Sequence, residues 1–245
     1  MVVVAARPGV GKTTFAMNLA YNAAREGKRF LVFSMEMTGS QIGRKLATMH
    51  AKQPLPINTH DPSRNARNAE ILKSSLLEVA DLPIKVDDSS RQDMSSIRAT
   101  SKVVKRRDGL DAIVIDYLGL IQGDPTLQSK YAQVSELSKE CKRLAMELNV
   151  VCFVVCQLNR DGANAEPRPE NLRDSGQIEQ DADIIMLLHR EFNDAKSKEV
   201  KVIVAKNRFG GLGRSHDKII FDPPTQQFLQ VEQNKLSEGV HVHAG

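Results

Sequence analysis

Residues 6–14, with the sequence ARPGVGKTT, have a spacing that suits phosphate chemistry. They fit the pattern G-x-x-x-x-G-K-[ST], except that alanine takes the place of the first glycine. Gly9 and Gly11 allow a turn tight enough for backbone N–H groups to converge on phosphate oxygens. Lys12 is then expected to reach the β- and γ-phosphates, and the Thr13 hydroxyl to bind Mg²⁺. The motif predicts a nucleotide site with these phosphate-binding residues: Pro8, Gly9, Val10, Gly11, Lys12, Thr13 and Thr14.

The segments around this loop have the order that such a site requires. Residues 2–5 form an apolar run typical of a buried strand, and residues 15–25 have a helical pattern. A helix that begins directly behind the loop adds the positive end of its dipole to the phosphate site. A glycine-rich loop that only turns the chain is the alternative, and the preceding strand and the Lys-Thr-Thr sequence after Gly11 argue against it. We therefore predict that the chain binds a nucleoside triphosphate.

Three further polar side chains stand where apolar runs end. Asp116 follows residues 112–115, Glu36 lies within FSMEM, and Gln157 follows VVC. The carboxyl ends of parallel strands meet at one edge of a sheet, where an aspartate beside a phosphate loop holds a Mg²⁺-bound water. From local sequence, Glu36 fits two roles equally: a base that accepts a proton from the attacking water, or a surface residue before the next helix. Gln157 fits either a γ-phosphate sensor or a strand-end residue, and local sequence does not decide between them.

Apolar runs alternate with amphipathic segments along the rest of the chain. Strands are predicted at residues 30–35, 83–86, 112–115, 150–155, 184–188 and 200–205, and a hairpin at 218–221 and 227–231. Helices are predicted at residues 38–51, 61–80, 90–107 and 134–148. This alternation indicates one α/β domain whose parallel sheet is covered by helices on both faces.

Composition bounds the class of protein. The chain has 245 residues, of which 41% are hydrophobic and 26% charged, as in soluble globular proteins. It contains neither an apolar run of membrane-spanning length nor a signal peptide, so we expect a cytoplasmic protein without a membrane partner. Cys141, Cys152 and Cys156 lie in apolar contexts, which favours core packing. The net charge of +4 does not by itself indicate nucleic acid, and an aromatic content of 4% favours phosphate contacts over base stacking.

Six segments, taken in order, resemble the motifs of the DnaB-type replicative DNA helicases. They are ARPGVGKTTFAMNLA, FSMEM followed by Gln41 and Arg44, IVIDYLGLI, VVCQLNR, LRDSGQIEQDAD and VAKNR. The resemblance covers residues 2–231, and LRDSGQIEQDAD is its most specific part. It implies a RecA-like ATPase core of bacterial or phage origin, with a largely parallel twisted sheet and a C-terminal antiparallel hairpin. It also implies a hexameric ring that encloses one DNA strand and moves 5′ to 3′ on ATP hydrolysis during replication.

The resemblance further implies roles for individual residues. Glu36 is the catalytic base, Asp116 organises Mg²⁺, and Gln157 senses the γ-phosphate. Lys206 and Arg208 match a basic pair inserted into a neighbouring subunit's ATP site, although in isolation they also fit a solvated strand end. Other implied contacts are Arg44 with the nucleotide, and Arg173, Asp174 and Gly176 with the DNA backbone.

The chain also departs from the family in several places. Phe209-Gly210-Gly211 replaces the more usual Asn-Gly-Pro, which leaves the pose of Arg208 open, and residues 159–171 form a shorter segment. We expect residues 1–235 to be the motor domain and residues 236–245 a flexible tail. The family's N-terminal helical domain and linker helix are expected to be absent, as in a C-terminal fragment or a short variant. Primase and a helicase loader would then bind through those absent regions.

Two other functions are compatible with the phosphate loop. A RecA-type recombinase or KaiC-like oligomeric ATPase is disfavoured by the sequence DAD at residues 181–183, preceded by LRDSG at 172–176. A nucleotide-binding scaffold without hydrolysis is disfavoured because Lys12, Glu36, Asp116 and Arg208 are all present.

Overall fold

The computed structural model describes residues 1–159, 165–172, 176–190, 198–214 and 218–231. Its strands are β1 (Val2–Ala6), β2 (Phe30–Ser34), β3 (Ile84–Asp87), β4 (Ala112–Asp116), β5 (Val151–Gln157), β6 (Ile184–His189), β7 (Glu199–Asn207), β8 (Gly213–Arg214), β9 (Lys218–Asp222) and β10 (Gln227–Val231). Its α-helices are α1 (Lys12–Arg25), α2 (Gly39–Ala51), α3 (Pro62–Ala80), α4 (Met94–Asp108), α5 (Lys130–Leu148) and α6 (Gly176–Asp181). The tail predicted at residues 236–245 lies outside the described residues.

The described strands form one sheet in the order β10-β9-β7-β6-β1-β5-β4-β2-β3, with β8 beside β7. The pairs among β3, β2, β4, β5, β1 and β6 are parallel. From β6 onward, the pairs with β7, β8, β9 and β10 are antiparallel. This arrangement confirms the predicted parallel sheet with a C-terminal antiparallel hairpin. The two-residue strand β8 carries too little sequence pattern to have been predicted.

Residue alternation along the strands divides the apolar core between the two faces of the sheet. Leu31 and Phe33 of β2 pack in a cluster with residues of α4 and α5. Phe30 and Val32 of the same strand pack in a second cluster with residues of α1, α2 and α3. Both faces are covered because every second side chain of an uninterrupted apolar strand must be buried on each side.

The three cysteines lie in this core. Cys141, Cys152 and Cys156 are buried free thiols, which confirms the predicted packing role. Burial raises the pKa of Cys156 to about 12, so its thiol stays protonated and unreactive at neutral pH.

Helix caps explain where several helices begin. Thr38 and Gln41 form the predicted capping box of α2, and the Asp61 carboxylate caps α3 with proline at its first position. The helix predicted from residue 90 begins only at Met94, because the Asp93 side chain accepts a hydrogen bond from the Ser96 backbone N–H. The first helix begins three residues before the predicted start, directly after Gly11.

The C-terminal strands pack beside the phosphate loop. Val10 and Phe15 belong to a third apolar cluster with Val200 and Phe221. The Phe228 ring packs edge-on against Phe15 with centroids 5.1 Å apart. The β9–β10 hairpin therefore packs against the start of α1, and the turn between its two strands lies next to the nucleotide-binding motif.

Candidate nucleotide site

The phosphate loop is held in a conformation that requires glycine at two positions. Gly9 has φ 80° and Gly11 has φ 101°, both in the left-handed region. A Cβ atom on Gly11 would lie 3.3 Å from Phe221 and from Phe228. Gly11 is the N-cap of α1, so the first backbone N–H groups of that helix face the loop. Within the loop, Pro8 and Gly9 are exposed, whereas Val10 anchors the loop in the core.

Lys12 and Glu36 meet at this loop. The Lys12 ammonium lies 3.2 Å from a Glu36 carboxylate oxygen and 5.0 Å from the centroid of the Tyr117 ring. The Lys12 side chain is 14% exposed and that of Glu36 is 50% exposed, so the carboxylate is open to solvent while the ammonium is sheltered. Folding thus brings together the predicted phosphate-binding lysine and the predicted base.

Asp116 is a buried carboxylate at the carboxyl end of β4. It is 1% exposed, and neither of its carboxyl oxygens has a hydrogen-bond partner among the described residues. Burial raises its pKa above the ordinary value, and the Thr13 hydroxyl and the Lys12 ammonium act in the opposite direction. A buried carboxylate without a partner calls for one. An oxygen-seeking cation with its bound waters would supply that partner, so Asp116 and the neighbouring Thr13 hydroxyl fit Mg²⁺.

Lys45 of α2 belongs to the site, although the sequence did not single it out. Its ammonium donates to the Thr14 hydroxyl at 3.0 Å and also contacts the Gln226 side-chain oxygen of the β9–β10 turn. Burial lowers the pKa of Lys45, while Asp116 opposes that shift. Helical spacing puts Lys45 on the same face of α2 as Gln41, Arg44 and Thr48, but that spacing alone does not identify it as a site residue.

That face of α2 lines a cleft of about 510 Å³ beside the loop. Arg44, for which a nucleotide contact is predicted, lines this cleft, and its guanidinium donates to the Leu55 carbonyl oxygen at 3.3 Å. Met37, Pro54 and Pro224 add apolar surface. The cleft has the size and the mixed lining expected for the base and ribose of a nucleotide.

Gln157 connects this site with a second cleft. It pairs in register with Ala6, the last residue before the loop. It also lines a cleft of about 230 Å³ together with Tyr117, Lys130 and Ile178 of α6. Gly176, a predicted DNA-binding residue, is the first residue of α6, whereas Arg173 and Asp174 lie outside the described residues.

Arg7 ties the phosphate loop to the segment that follows β5. The side chain is 5% exposed, and its guanidinium donates to the Ala165 carbonyl oxygen at 2.9 Å. The phosphate loop and the segment after β5 are therefore joined by a charge-assisted hydrogen bond.

Lys206 and Arg208 lie apart from the loop, at the end of β7. The Arg208 guanidinium lies 3.3 Å from a carboxylate oxygen of Asp183 and donates to the Gln180 carbonyl oxygen at 2.8 Å. Lys206 donates to the carbonyl oxygens of Glu179 and Gln180. Its pKa is lowered by partial burial and then by the neighbouring Arg208 charge. Within the described part of the chain, neither side chain contacts its own phosphate loop.

Comparison with known proteins places this geometry in a family. Residues 1–230 match the DnaB-like helicase C terminal domain. The chain belongs to this family. Among curated relatives, the replicative DNA helicase DnaB of Leifsonia xyli is 37% identical over 218 residues, which cover 86% of this chain and 48% of that protein. The DnaB of Geobacillus stearothermophilus is 35% identical and covers 95% of this chain and 53% of its own length. The chain thus spans about half the length of the curated relatives it matches.

Solved structures of DnaB-like proteins have the same fold. A DnaB-like replicative helicase, described with its interactions with primase, superposes with a TM-score of 0.87 at 29% identity, covering 95% of this chain and 57% of that one. A second solved structure, of an ATPase domain, superposes with a TM-score of 0.84 at 29% identity, covering 94% of this chain and 84% of that one. The predicted RecA-like fold and DnaB-type resemblance are confirmed.

The described residues contain neither a membrane-spanning helix nor a preformed metal cluster. No helix among them is long and apolar enough to cross a membrane. No group of three or more His, Cys, Asp or Glu side chains in that part of the chain could hold a metal ion.

Proposed function

We propose that residues 1–235 form the motor domain of a replicative DNA helicase. In this proposal the domain hydrolyses ATP and moves 5′ to 3′ along single-stranded DNA as a hexameric ring, with residues 236–245 as a tail. The observation that carries the proposal is the convergence of Lys12, Glu36 and Asp116 on one phosphate loop, in a chain of a helicase family. A nucleotide-binding scaffold would not need an open carboxylate 3.2 Å from the phosphate-binding lysine.

The chain's own groups divide the work of hydrolysis. Backbone N–H groups from Gly9 to Thr14 hold the phosphates, and the Lys12 ammonium neutralises charge on the β- and γ-phosphates. The Glu36 carboxylate is half-exposed next to that ammonium, so it can accept a proton from a water that attacks the γ-phosphorus. When Lys12 moves onto the nucleotide, it releases Glu36 for this role.

Thr13 and Asp116 are the residues that would hold Mg²⁺, Asp116 through a bound water. The ion would supply positive charge that stabilises the nucleotide's phosphates. Asp116 is well suited because its oxygens are buried and lack protein partners among the described residues.

Lys206 and Arg208 are proposed to complete the ATP site of a neighbouring copy. Both contact α6 or Asp183 of their own chain rather than its phosphate loop. An arginine supplied in trans stabilises charge on the transferred phosphoryl group, and each site then depends on its neighbour. This dependence is the physical reason to expect an oligomer rather than a monomeric ATPase.

DNA contacts are proposed for Arg173, Asp174 and Gly176, which precede or begin α6. Gln157 lines a cleft with Ile178 of that helix, so it can relay the state of the γ-phosphate toward the DNA-binding segment. Contacts of this kind read phosphates rather than bases and weaken with salt. Contacts with primase and a helicase loader are proposed for other parts of the protein.

Steady-state ATP hydrolysis tests this function. The rate is measured with and without single-stranded DNA over a range of protein concentrations. We expect DNA to stimulate hydrolysis, and the rate per chain to rise with protein concentration. Mixing Arg208→Ala with Lys12→Ala protein should restore part of the activity, because some interfaces then combine an intact loop with an intact arginine. A rate indifferent to both DNA and protein concentration would instead favour an ATPase that does not translocate, or a fragment that cannot assemble alone.

A further inference from the structure

The turn between β7 and β8 presents two large apolar side chains to solvent. Phe209 is 80% exposed and Leu212 is 69% exposed. The turn itself is well fixed: the Asn207 side chain accepts from the Phe209 backbone N–H at 3.0 Å and donates to the Gly211 carbonyl oxygen at 3.2 Å. The two side chains therefore project from a defined tip rather than from a loose loop. A fixed apolar tip is more typical of a contact surface than of a solvated turn.

We propose that Phe209 and Leu212 are an apolar anchor that docks on a second copy of this chain, at the rim of its nucleotide cleft. The proposal rests on the proposed function, in which Arg208 enters the ATP site of a neighbouring copy. Phe209 follows Arg208 directly, so a path that carries the guanidinium to the neighbour's phosphates carries the Phe209 ring to the rim of the same cleft. Covalent adjacency thus keeps the Phe209 ring close to the surface that surrounds the site entered by Arg208.

The rim offers a matching surface. Met37 follows Glu36 directly and lines the cleft together with Pro54 and Pro224. The cleft is linked to the phosphate loop through Lys45, which lines it and donates to the Thr14 hydroxyl. Apolar anchors that enter such a patch dominate interface energies, and they shield the neighbouring charged contact from water.

The anchor would also offset the free energy that Arg208 loses when it leaves its partners in its own chain. Arg208 is bound to Asp183 and Gln180 of its own chain, so leaving them has a cost. Arg208 would exchange these contacts for contacts with the neighbour, so the basic pair alone adds little net affinity. Burial of Phe209 and Leu212 would supply the association free energy that the Lys206–Arg208 pair does not.

The test compares a Phe209→Ser/Leu212→Ser variant with a matched control, Leu77→Ser/Met146→Ser. The control residues are apolar and similarly exposed, at 65% and 70%, but lie on α3 and α5. Rate per chain is measured against protein concentration at saturating ATP, with assembly followed by sedimentation velocity. We expect the concentration for half-maximal rate to rise about tenfold or more in the tip variant, as for loss of an interface anchor. The control should match the wild type, and the tip variant should approach the wild-type maximal rate.

The location of the contact is tested by crosslinking. The native cysteines are buried, so a short bis-maleimide reagent would join only introduced thiols. Phe209→Cys and Met37→Cys proteins, mixed with a non-hydrolysable ATP analogue, should give a crosslinked dimer that neither protein forms alone. Absence of that dimer would overturn the assignment of the tip to the cleft rim.

Other outcomes separate the proposal from the function on which it rests. If the wild-type rate per chain depends on protein concentration and the tip variant shows the same dependence, Phe209 and Leu212 are not an interface anchor. The proposal that Arg208 acts in a neighbour's ATP site is then unaffected. If the tip variant loses affinity for labelled single-stranded DNA with unchanged assembly, the tip contacts DNA instead. If the wild-type rate per chain is independent of concentration, the proposed oligomeric motor fails, and the anchor fails with it.

Discussion

Replacing Glu36 by glutamine should separate catalysis from stability. The substitution keeps the size of the side chain but removes its charge and its ability to accept a proton. The Lys12–Glu36 pair has a distance of 3.2 Å, and the Glu36 side chain is 50% exposed. Ion pairs with that exposure contribute about 0.2–1 kcal/mol, so the free energy of unfolding should fall by no more than about 1 kcal/mol.

The expected effect on turnover is much larger. A positioned general base accelerates a reaction by about 10²–10⁴-fold, which corresponds to about 3–5 kcal/mol in the activation free energy. The affinity of Glu36→Gln for nucleotide should be unchanged or slightly higher, because Lys12 no longer has to break an ion pair with a carboxylate before it binds the phosphates. The maximal rate should therefore collapse while binding and folding persist.

Three measurements are needed on one preparation: ATP turnover, affinity for a fluorescent ATP analogue, and urea unfolding. Glu78→Gln is the matched control, because Glu78 is also an exposed carboxylate with a side-chain partner: it lies 2.7 Å from His50 and is 62% exposed. The control should lose a similar small amount of stability and keep its turnover. Turnover of Glu36→Gln within about threefold of the wild type would refute the assignment of the base.

The phosphate loop, Asp116 and Lys45 each allow a separate test. Gly11→Ala should destabilise the protein more than Gly27→Ala: both positions have positive φ, which costs about 1–2 kcal/mol with a Cβ, but only at Gly11 would the Cβ press on aromatic rings. Urea unfolding of the two variants checks this, and equal losses would remove the rings from the argument. Burial raises the pKa of Asp116, so its ionised form destabilises the folded protein. This loss of stability increases as the pH rises from about 4 through the raised pKa. Compared with the wild type, Asp116→Asn should therefore be more stable at neutral pH than at about pH 4. A stability difference that does not change with pH would contradict this prediction. Lys45→Met keeps the apolar stem but removes the ammonium beside Thr14, so nucleotide affinity should fall about tenfold with little change in maximal rate; unchanged affinity would place Lys45 outside the binding site.

Much of the fold could be predicted because each strand carries its own signal. Uninterrupted apolar runs such as residues 112–115 must be buried on both faces, and helices between such runs make the sheet parallel. The carboxyl ends of those strands then share an edge, so Asp116 and Glu36 were expected beside the phosphate loop. In the observed register Ser34 pairs with Asp116, so β2 and β4 end level with each other at that edge of the sheet.

Lys45 could not be found in the same way, because its role depends on contacts distant in sequence. Its ammonium reaches Gln226, which is 181 residues away on the β9–β10 turn. No local pattern states that this turn returns to the start of α1. The first residues of two helices were predicted incorrectly for a different reason. α1 begins after Gly11 and α4 after Asp93, because the geometry of the N-cap, and not hydrophobic spacing, sets where each helix begins.

Other long-range contacts connect the phosphate loop with parts of the chain away from the nucleotide site. Two independent links leave the phosphate loop in the direction of the segment after β5. One is Gln157, which pairs with Ala6 and lines a cleft against α6; the other is the bond from Arg7 to the Ala165 carbonyl oxygen. Because Arg7 is buried and its bond is charge-assisted, the loop cannot shift far without either moving residue 165 or breaking that bond. We propose that a change in phosphate occupancy is passed along these two links to the segment after β5, which is the coupling that the proposed motor would require.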